Sequence, residues 1–193
     1  MNKRDLQKEK TRYRILDAAF REFGKNGILS TRTSDVARAA GVSHGSVFAH
    51  FESQEALICA VIWEFGQRIA HRTHSLAAGQ SGLRDVLGAH LKGIAEYEDF
   101  YFRLVTESAL LPAGCRDCFV MVQSAISLHL NEAAKRETEL GIIRPMPLHL
   151  LFNTWIGLVH YYLANRKLFA PGKSVVARCG EELIEHFMGL VKV

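Results

Sequence analysis

The sequence predicts an all-α protein. Apolar residues recur at helical spacing along most of the 193 residues, a pattern that indicates amphipathic helices with one buried face. The four prolines, at positions 112, 145, 147 and 171, fall at the ends of these periodic segments, where proline is tolerated. Because no segment of useful length alternates apolar and polar residues, we expect no β-sheet.

The composition is ordinary for a soluble globular chain, with 48% hydrophobic and 23% charged residues. No apolar run reaches the roughly 18 residues that span a bilayer, and no signal-peptide core follows the basic start. The four cysteines are too few for a disulfide scaffold and fit a reducing compartment. We therefore expect a cytoplasmic protein without a cofactor or metal.

Positive charge is concentrated at the N-terminal end. The first 50 residues hold ten Lys or Arg and five Asp or Glu, whereas the rest hold fourteen and fifteen. A basic segment on a nearly neutral body indicates a polyanionic partner for that segment.

Three helices are predicted within this basic segment. The first spans about Asp5–Phe23. The second begins at Thr33, expected as its N-cap, and ends at Gly41, since glycine tolerates the positive φ of a helix C-cap. The third is capped by Ser43 and runs to about Phe51. Two short helices joined by a tight glycine turn predict a helix-turn-helix unit, whose second helix enters the DNA major groove.

The stretch FREFGKNGILSTRTSDVARAAGVSHGSVFAHFESQEAL, starting at Phe20, resembles the DNA-binding region of TetR-family transcriptional regulators. The resemblance covers roughly residues 10–60 without gaps. It depends on the following residues: Phe20, Phe23, Gly27, Thr33, Val36, Ala37, Ala40, Gly41, Val42, Ser43, Gly45, His50, Phe51 and Leu57.

The resemblance implies a helix-turn-helix domain at 1–53 and an effector-binding and dimerisation domain at 54–193. It also implies roles in DNA binding. Base edges would be approached by His44, Gly45 and Ser46, and phosphates by Thr33, Ser43, His50, Lys10 and Arg12.

Three positions depart from the family pattern. Phe48 replaces a common tyrosine, Ala49 a larger residue, and Gln54 a frequent lysine. Loss of an ionic phosphate contact should lower the salt dependence of binding by about one unit of slope. Phe48 can instead contact a thymine methyl group. These departures also leave open a helical interaction protein with weakened DNA binding.

Helices are further predicted at Glu55–Ala78, 83–97, 100–111, 114–140, 148–169 and 174–191. Large side chains on the middle helices are candidates for lining an effector cavity: Trp63, Phe65, His90, Tyr97, Tyr101, Arg103, Met121 and Trp155. Wide apolar stripes on the last two helices predict a twofold four-helix bundle between two copies. Its interface would use Leu151, Trp155, Leu158, Tyr162, Cys179, Leu183, Phe187 and Leu190.

No nucleophile elbow, phosphate loop or metal-binding helix motif occurs, so we do not expect an enzyme. The sequence predicts a dimeric, ligand-responsive transcriptional regulator, and a repressor in particular. It would bind a pseudo-palindromic operator and be released by a small-molecule effector. A thiol or redox response through Cys115 and Cys118, a C-x-x-C pair, is the remaining alternative.

Overall fold

A computed structural model describes residues 2–76 and 82–193, without the side chains of residues 73–76. Helices dominate the described residues, and their only β pairing is a single antiparallel bridge between Ile143 and Lys192. The α-helices are α1 Lys3–Asn26, α2 Thr33–Ala40, α3 His44–Phe48, α4 Gln54–Leu76, α5 Leu83–Ala95, α6 Glu98–Glu107, α7 Ala113–Glu139, α8 Leu148–Ala164, α9 Arg166–Phe169 and α10 Val175–Val191. A 3₁₀ turn at Ser108–Leu110 follows α6. The predicted all-α class is confirmed.

Most helix boundaries lie within a few residues of their predicted positions. Helix α1 begins earlier than predicted, because Asn2 caps it and the Asp5 carboxylate accepts a hydrogen bond from the Asn2 backbone N–H. The helix predicted over 148–169 is divided at Asn165, which ends α8 and precedes α9. The predicted end of the fourth helix, at Ala78, lies outside the described residues.

The chain forms two compact units. Unit one consists of the residues up to Phe65 together with Asp99–Val120, and unit two of Gly66–Glu98 and Met121–Val193. Helices α4 and α7 each contribute residues to both units. The predicted functional boundary between residues 53 and 54 stays a prediction, but the compact unit that contains α1–α3 also includes most of α6 and the start of α7.

The core of unit one is built from apolar faces of α1, α4 and α6. Phe65 and Phe100 meet edge to face with ring centroids 5.4 Å apart, and Phe20 contacts Phe100 in the same way at 5.0 Å. At Gly24 the α1 backbone approaches α6 so closely that a Cβ would lie 3.1 Å from the Phe100 nitrogen. These contacts fix α1 against α6 within unit one.

In unit two, α10 packs against α5 and α8. Trp155 of α8 and Phe187 of α10 are both fully buried, with ring centroids 5.4 Å apart. The Glu98 carboxylate accepts hydrogen bonds from the backbone of Val175 and Val176 at the start of α10, where a negative charge stabilises a helix N-terminus. Of the helices in the described ranges, none is both long and apolar enough to cross a membrane.

Candidate nucleic-acid interface

The turn between α2 and α3 has the geometry that its residues predict. Gly41 lies in the left-handed region, with φ 63° and ψ 40°, which a side chain would disfavour. The N–H of Val42 donates to the Ala37 carbonyl at 3.0 Å. The Ser43 hydroxyl then caps α3 by accepting from the Ser46 N–H at 3.1 Å. The predicted C-cap at Gly41 and N-cap at Ser43 are confirmed.

One side of α3 faces solvent. Val47 points inward and is fully buried, whereas His44, Gly45 and Phe48 are exposed. The His44 ring contacts the Phe48 ring edge to face, at a centroid distance of 4.9 Å. A Cβ on Gly45 would meet nothing closer than the Ser43 hydroxyl oxygen, at 4.0 Å. The outer face of α3 is therefore slim and carries no Asp, Glu, Lys or Arg.

Thr33 has a different local role from the one predicted. It is the first residue of α2, and the N-cap is Arg32, whose N–H donates to the Asp35 carboxylate at 3.1 Å. The prediction that Thr33 caps α2 is wrong because its hydroxyl instead lies 2.9 Å from His44 Nε2. This hydrogen bond joins the first residues of α2 and α3, the two helices of the predicted helix-turn-helix unit.

A basic cluster formed by Lys8, Arg12 and His50 lies beside the end of α3. The Arg12 guanidinium stacks over the Phe51 ring, 4.6 Å from its centroid. Partial burial and then the charges of Lys8 and Arg12 lower the pKa of His50. A nearby anion would offset this repulsion, so the cluster suits a phosphate. Sequence reasoning missed Lys8, although its position one helical turn before Arg12 was a usable signal.

Two long polar side chains brace this unit from within. The Gln54 amide donates to the Thr31 carbonyl at 3.0 Å, joining the first residue of α4 to the α1–α2 loop. Arg14 donates to the Ala40 carbonyl at 2.7 Å, at the C-terminal end of α2, where a positive charge is favourable. Lys10, on α1, is exposed.

The side chains predicted to contact an effector are divided between the units. Trp63, Phe65, Tyr101 and Arg103 belong to unit one, and His90, Tyr97, Met121 and Trp155 to unit two. Arg103 donates to the carbonyls of Gly24 and Lys25, and thus supports α1.

His90 and Trp155 form a buried polar pair in unit two. The Trp155 Nε1–H donates to His90 Nδ1 at 3.0 Å, and both side chains are fully buried. Burial, with a smaller contribution from His160, lowers the pKa of His90 to about 3. Neutral His90 therefore carries its proton on Nε2, and this N–H has no acceptor among the described residues.

The residues predicted for a dimer interface are mostly covered within one copy. Leu151, Trp155, Cys179, Leu183 and Phe187 are buried in unit two. Leu158 and Tyr162 are half-buried, and Leu190 is exposed. Beside them, α8 presents Leu150, Gly157 and Tyr161 to solvent, and α10 presents Gly189 next to Leu190.

The cysteines do not pair as the C-x-x-C spacing suggests. Cys115 forms a disulfide with Cys59 of α4, and Cys118 is a free thiol. This arrangement does not support the alternative of a redox response through Cys115 and Cys118, because Cys115 is bonded to Cys59 and fully buried, one helical turn before the half-buried Cys118. Cys59 and Cys115 also lie near the Glu55 carboxylate, and the three possible ligand atoms are within 4.8 Å of one another.

Comparison with known proteins locates the similarity in this helix-turn-helix region. Residues 15–61 match the family model described as bacterial regulatory proteins of the tetR family. The HTH-type transcriptional regulator AcrR of Shigella flexneri is 39% identical over 59 residues, which are 31% of this chain and 27% of AcrR. TtgR of Pseudomonas putida is 34% identical over 77 residues, 40% of this chain and 34% of TtgR. The chain thus spans between about a quarter and a third of the length of these curated relatives.

The fold extends the similarity beyond the matched segment. The transcriptional regulator FadR of Bacillus subtilis superimposes with a TM-score of 0.77, covering 91% of this chain and 97% of FadR at 16% sequence identity. A TetR-family regulator from Rhodococcus sp. has a TM-score of 0.72 at 24% identity and covers 94% of this chain and 96% of its own. At these identities the superpositions establish the fold alone, and the sequence match is confined to the N-terminal segment. Residues 15–61, which include the capped α2–α3 corner, thus match the tetR family model, and the chain shares its fold with solved TetR-family regulators.

Proposed function

We propose that this protein is a cytoplasmic, homodimeric transcriptional repressor whose α3 reads operator DNA and whose unit two binds a small-molecule effector. The observation that carries the proposal is the exposed face of α3, free of Asp, Glu, Lys and Arg, beside the cluster of Lys8, Arg12 and His50. Slim polar side chains suit the major groove, and basic side chains suit the flanking phosphates. The named relatives AcrR and TtgR are transcriptional regulators, which supports a regulatory role without catalysis.

On DNA, we assign His44, Gly45, Ser46 and Phe48 to the base edges. Phosphates would be contacted by Lys10, Arg12, Thr33, Ser43 and His50. Gln54 receives a positioning role, because its amide is hydrogen-bonded to the Thr31 carbonyl. The Thr33–His44 hydrogen bond orients the imidazole at the start of α3, so that one ring nitrogen stays available to a base.

The test is selection of bound fragments from genomic DNA with the purified full-length protein. We expect a pseudo-palindromic site with half-sites about 34–36 Å apart. The double variant His44→Ala, Ser46→Ala should lose at least about tenfold in affinity for that site, since good base contacts are worth about 1–3 kcal/mol each. His71→Ala, an exposed histidine of unit two, is the control. Recovery of no enriched site, or full retention of specific binding by the double variant, refutes the assignment.

Dimerisation is proposed through the solvent-facing sides of α8 and α10. Gly157 and Gly189 have open space where a Cβ would lie, so a second copy can approach closely there, and Tyr161 and Leu190 offer apolar area. Because the site is open within one copy, Gly157→Arg should fold normally and yet convert the dimer to a monomer in sedimentation. Ala95→Arg, at another exposed helical site of unit two, should remain dimeric. A dimeric Gly157→Arg protein contradicts this interface.

Effector binding is proposed around His90. A buried N–H without an acceptor is unfavourable by about 1–3 kcal/mol, and a ligand oxygen would satisfy it. Because His90 is neutral at pH 7, it suits an uncharged acceptor such as a carbonyl within an otherwise apolar molecule. FadR of Bacillus subtilis was solved in complex with stearoyl-CoA, an acyl compound with such a carbonyl, which supports this class of ligand.

The effector proposal is tested with pairs of apolar compounds that differ only in one carbonyl group, with stearoyl-CoA as an additional probe. Wild-type protein should bind the carbonyl member at least about tenfold more tightly, and DNA release should follow binding. His90→Leu should abolish this preference, while His90→Gln, which keeps an amide donor, should retain part of it. Equal binding of both members by the wild type would contradict the role of His90.

Coupling between effector and DNA is assigned to α4. Its residues up to Phe65 belong to unit one and those from Gly66 onward to unit two. A shift of this continuous helix by a few ångströms would change the separation of the two reading helices in the dimer. The coupling free energy required is typically about 1–3 kcal/mol.

A further inference from the structure

A disulfide lies in the same unit as the helix-turn-helix. Cys59 of α4 and Cys115 of α7 are 56 residues apart in sequence, and their Cα atoms are 4.7 Å apart. This separation is inside the range of unstrained protein disulfides. Two free cysteines are described. Cys118 lies one helical turn after Cys115 on α7, and Cys179 is buried in unit two.

The two sulfurs differ in accessibility. Cys115 is fully buried, whereas Cys59 is half-buried, so a small reagent reaches Cys59 first. The Cys115 sulfur lies 3.5 Å from the Glu55 carbonyl oxygen, which gives a reduced Cys115 thiol a hydrogen-bond acceptor without rearrangement of α4. Both redox states of the pair therefore have a suitable environment.

The disulfide joins helices that support the DNA-binding end of the chain. Five residues before Cys59, Gln54 holds the Thr31 carbonyl. On the segment that leads to Cys115, Arg103 donates to the Gly24 carbonyl and Glu107 accepts from the Leu29 N–H at 3.0 Å. Both ends of the cross-link are thus connected to the α1–α2 loop, which leads into the helix-turn-helix formed by α2 and α3.

We propose that Cys59 and Cys115 form a reversible dithiol–disulfide site whose oxidised form holds the DNA-binding unit in its high-affinity arrangement. The inference rests on the proposed function in one respect: a DNA-binding regulator works in a reducing compartment, where disulfides are usually transient or redox-sensing. The oxidant class is a low-molecular-weight disulfide of the glutathione type.

The chemistry proceeds by two exchange steps. The Cys59 thiolate attacks one sulfur of the small disulfide, forms a mixed disulfide and releases one small thiolate. The Cys115 thiolate then attacks the Cys59 sulfur and releases the second. Two protein thiols become one disulfide, the small disulfide becomes two thiols, and the two cysteine protons end on those thiols. An added dithiol reverses the reaction.

The test equilibrates the full-length protein in a series of glutathione redox buffers and counts alkylated cysteines by mass spectrometry. We expect two of the four cysteines to become protected together and reversibly, and peptide mapping to identify Cys59 and Cys115. Cys118→Ser should behave like the wild type, whereas Cys59→Ser and Cys115→Ser should show no protected pair. Two independent single variants are used because replacement of the buried Cys115 can impair folding.

Two functional measurements accompany the mass spectra. Reduction should lower the melting temperature by about 5 °C or more, as expected for removal of a long-range cross-link, and weaken genomic DNA binding at least about threefold. In oxidising and in reducing buffer alike, Cys59→Ser should have the melting temperature and the DNA affinity of the reduced wild type. Protection of Cys118, thiols that persist at every buffer ratio, or DNA affinity equal in both states would overturn the proposal.

Bound metal is a further outcome that would overturn it. The Glu55 carboxylate and the two sulfurs offer three ligands of the kind that zinc accepts. Reduced protein that takes up one equivalent of Zn²⁺ and then resists oxidation by glutathione disulfide would identify a metal site instead. If neither redox state binds DNA, the proposed repressor function fails, while protection of the pair and the melting shift still report on the redox site.

Discussion

Acidification should destabilise the protein through two histidines of unit two. Burial is the main cause of both shifts: the pKa of His90 is lowered to about 3 and that of His160 to about 4. In the unfolded chain these histidines have a pKa near 6.5. Below pH 6.5 the unfolded chain therefore binds protons at both positions, whereas the folded chain keeps both histidines neutral until a much lower pH. Stability is full above pH 6.5 and is lost as the pH falls towards the folded-state values.

The size of the effect follows from these pKa values. Between pH 7.5 and pH 5, each histidine should cost about 2 kcal/mol of unfolding free energy, since one pKa unit corresponds to about 1.4 kcal/mol. The two together should remove about 4 kcal/mol, a large share of the roughly 5–15 kcal/mol that stabilises a typical domain.

The assay is urea unfolding at several pH values, followed by the fluorescence of the buried Trp155. His90→Gln keeps an acceptor for the indole N–H but does not titrate, so it should lose about half of the pH dependence. The double variant with His160→Gln should lose nearly all of it, and His71→Gln, at an exposed position, is the control substitution. An unchanged pH dependence in both histidine variants would refute the reasoning.

Three further perturbations have defined outcomes. Gly66→Ala should destabilise unit two by about 1–3 kcal/mol, because its Cβ would overlap the Val122 side chain; a Val122→Ala background should relieve most of this in urea unfolding. Gly41→Ala should cost about 1–2 kcal/mol by forcing a side chain into the left-handed region, and equal urea midpoints would contradict it. Arg12→Ala should reduce the slope of log K for DNA against log salt by about one unit, unlike Lys173→Ala, at an exposed position of unit two.

Local signals determined the helices and the corner between α2 and α3. Gly41 is compatible with a positive φ whatever surrounds it, and Ser43 caps α3 through an N–H three residues away. Such interactions operate within one helical turn, so their residues specify them directly. The order and approximate bounds of the other helices follow from apolar periodicity for the same reason.

Side-chain partners distant in sequence were decided by the tertiary structure. Thr33 was predicted to cap its own helix, but packing of α2 on α3 brings its hydroxyl to His44. Cys118 is near Cys115 in the sequence, yet Cys115 of α7 forms its disulfide with Cys59 of α4. A periodic pattern shows that a helix has an apolar face, but not which neighbour covers it. The sequence by itself therefore determined the helical fold and the corner between α2 and α3, whereas the burial of His90, the disulfide and the exposed faces of α8 and α10 depended on how the helices pack.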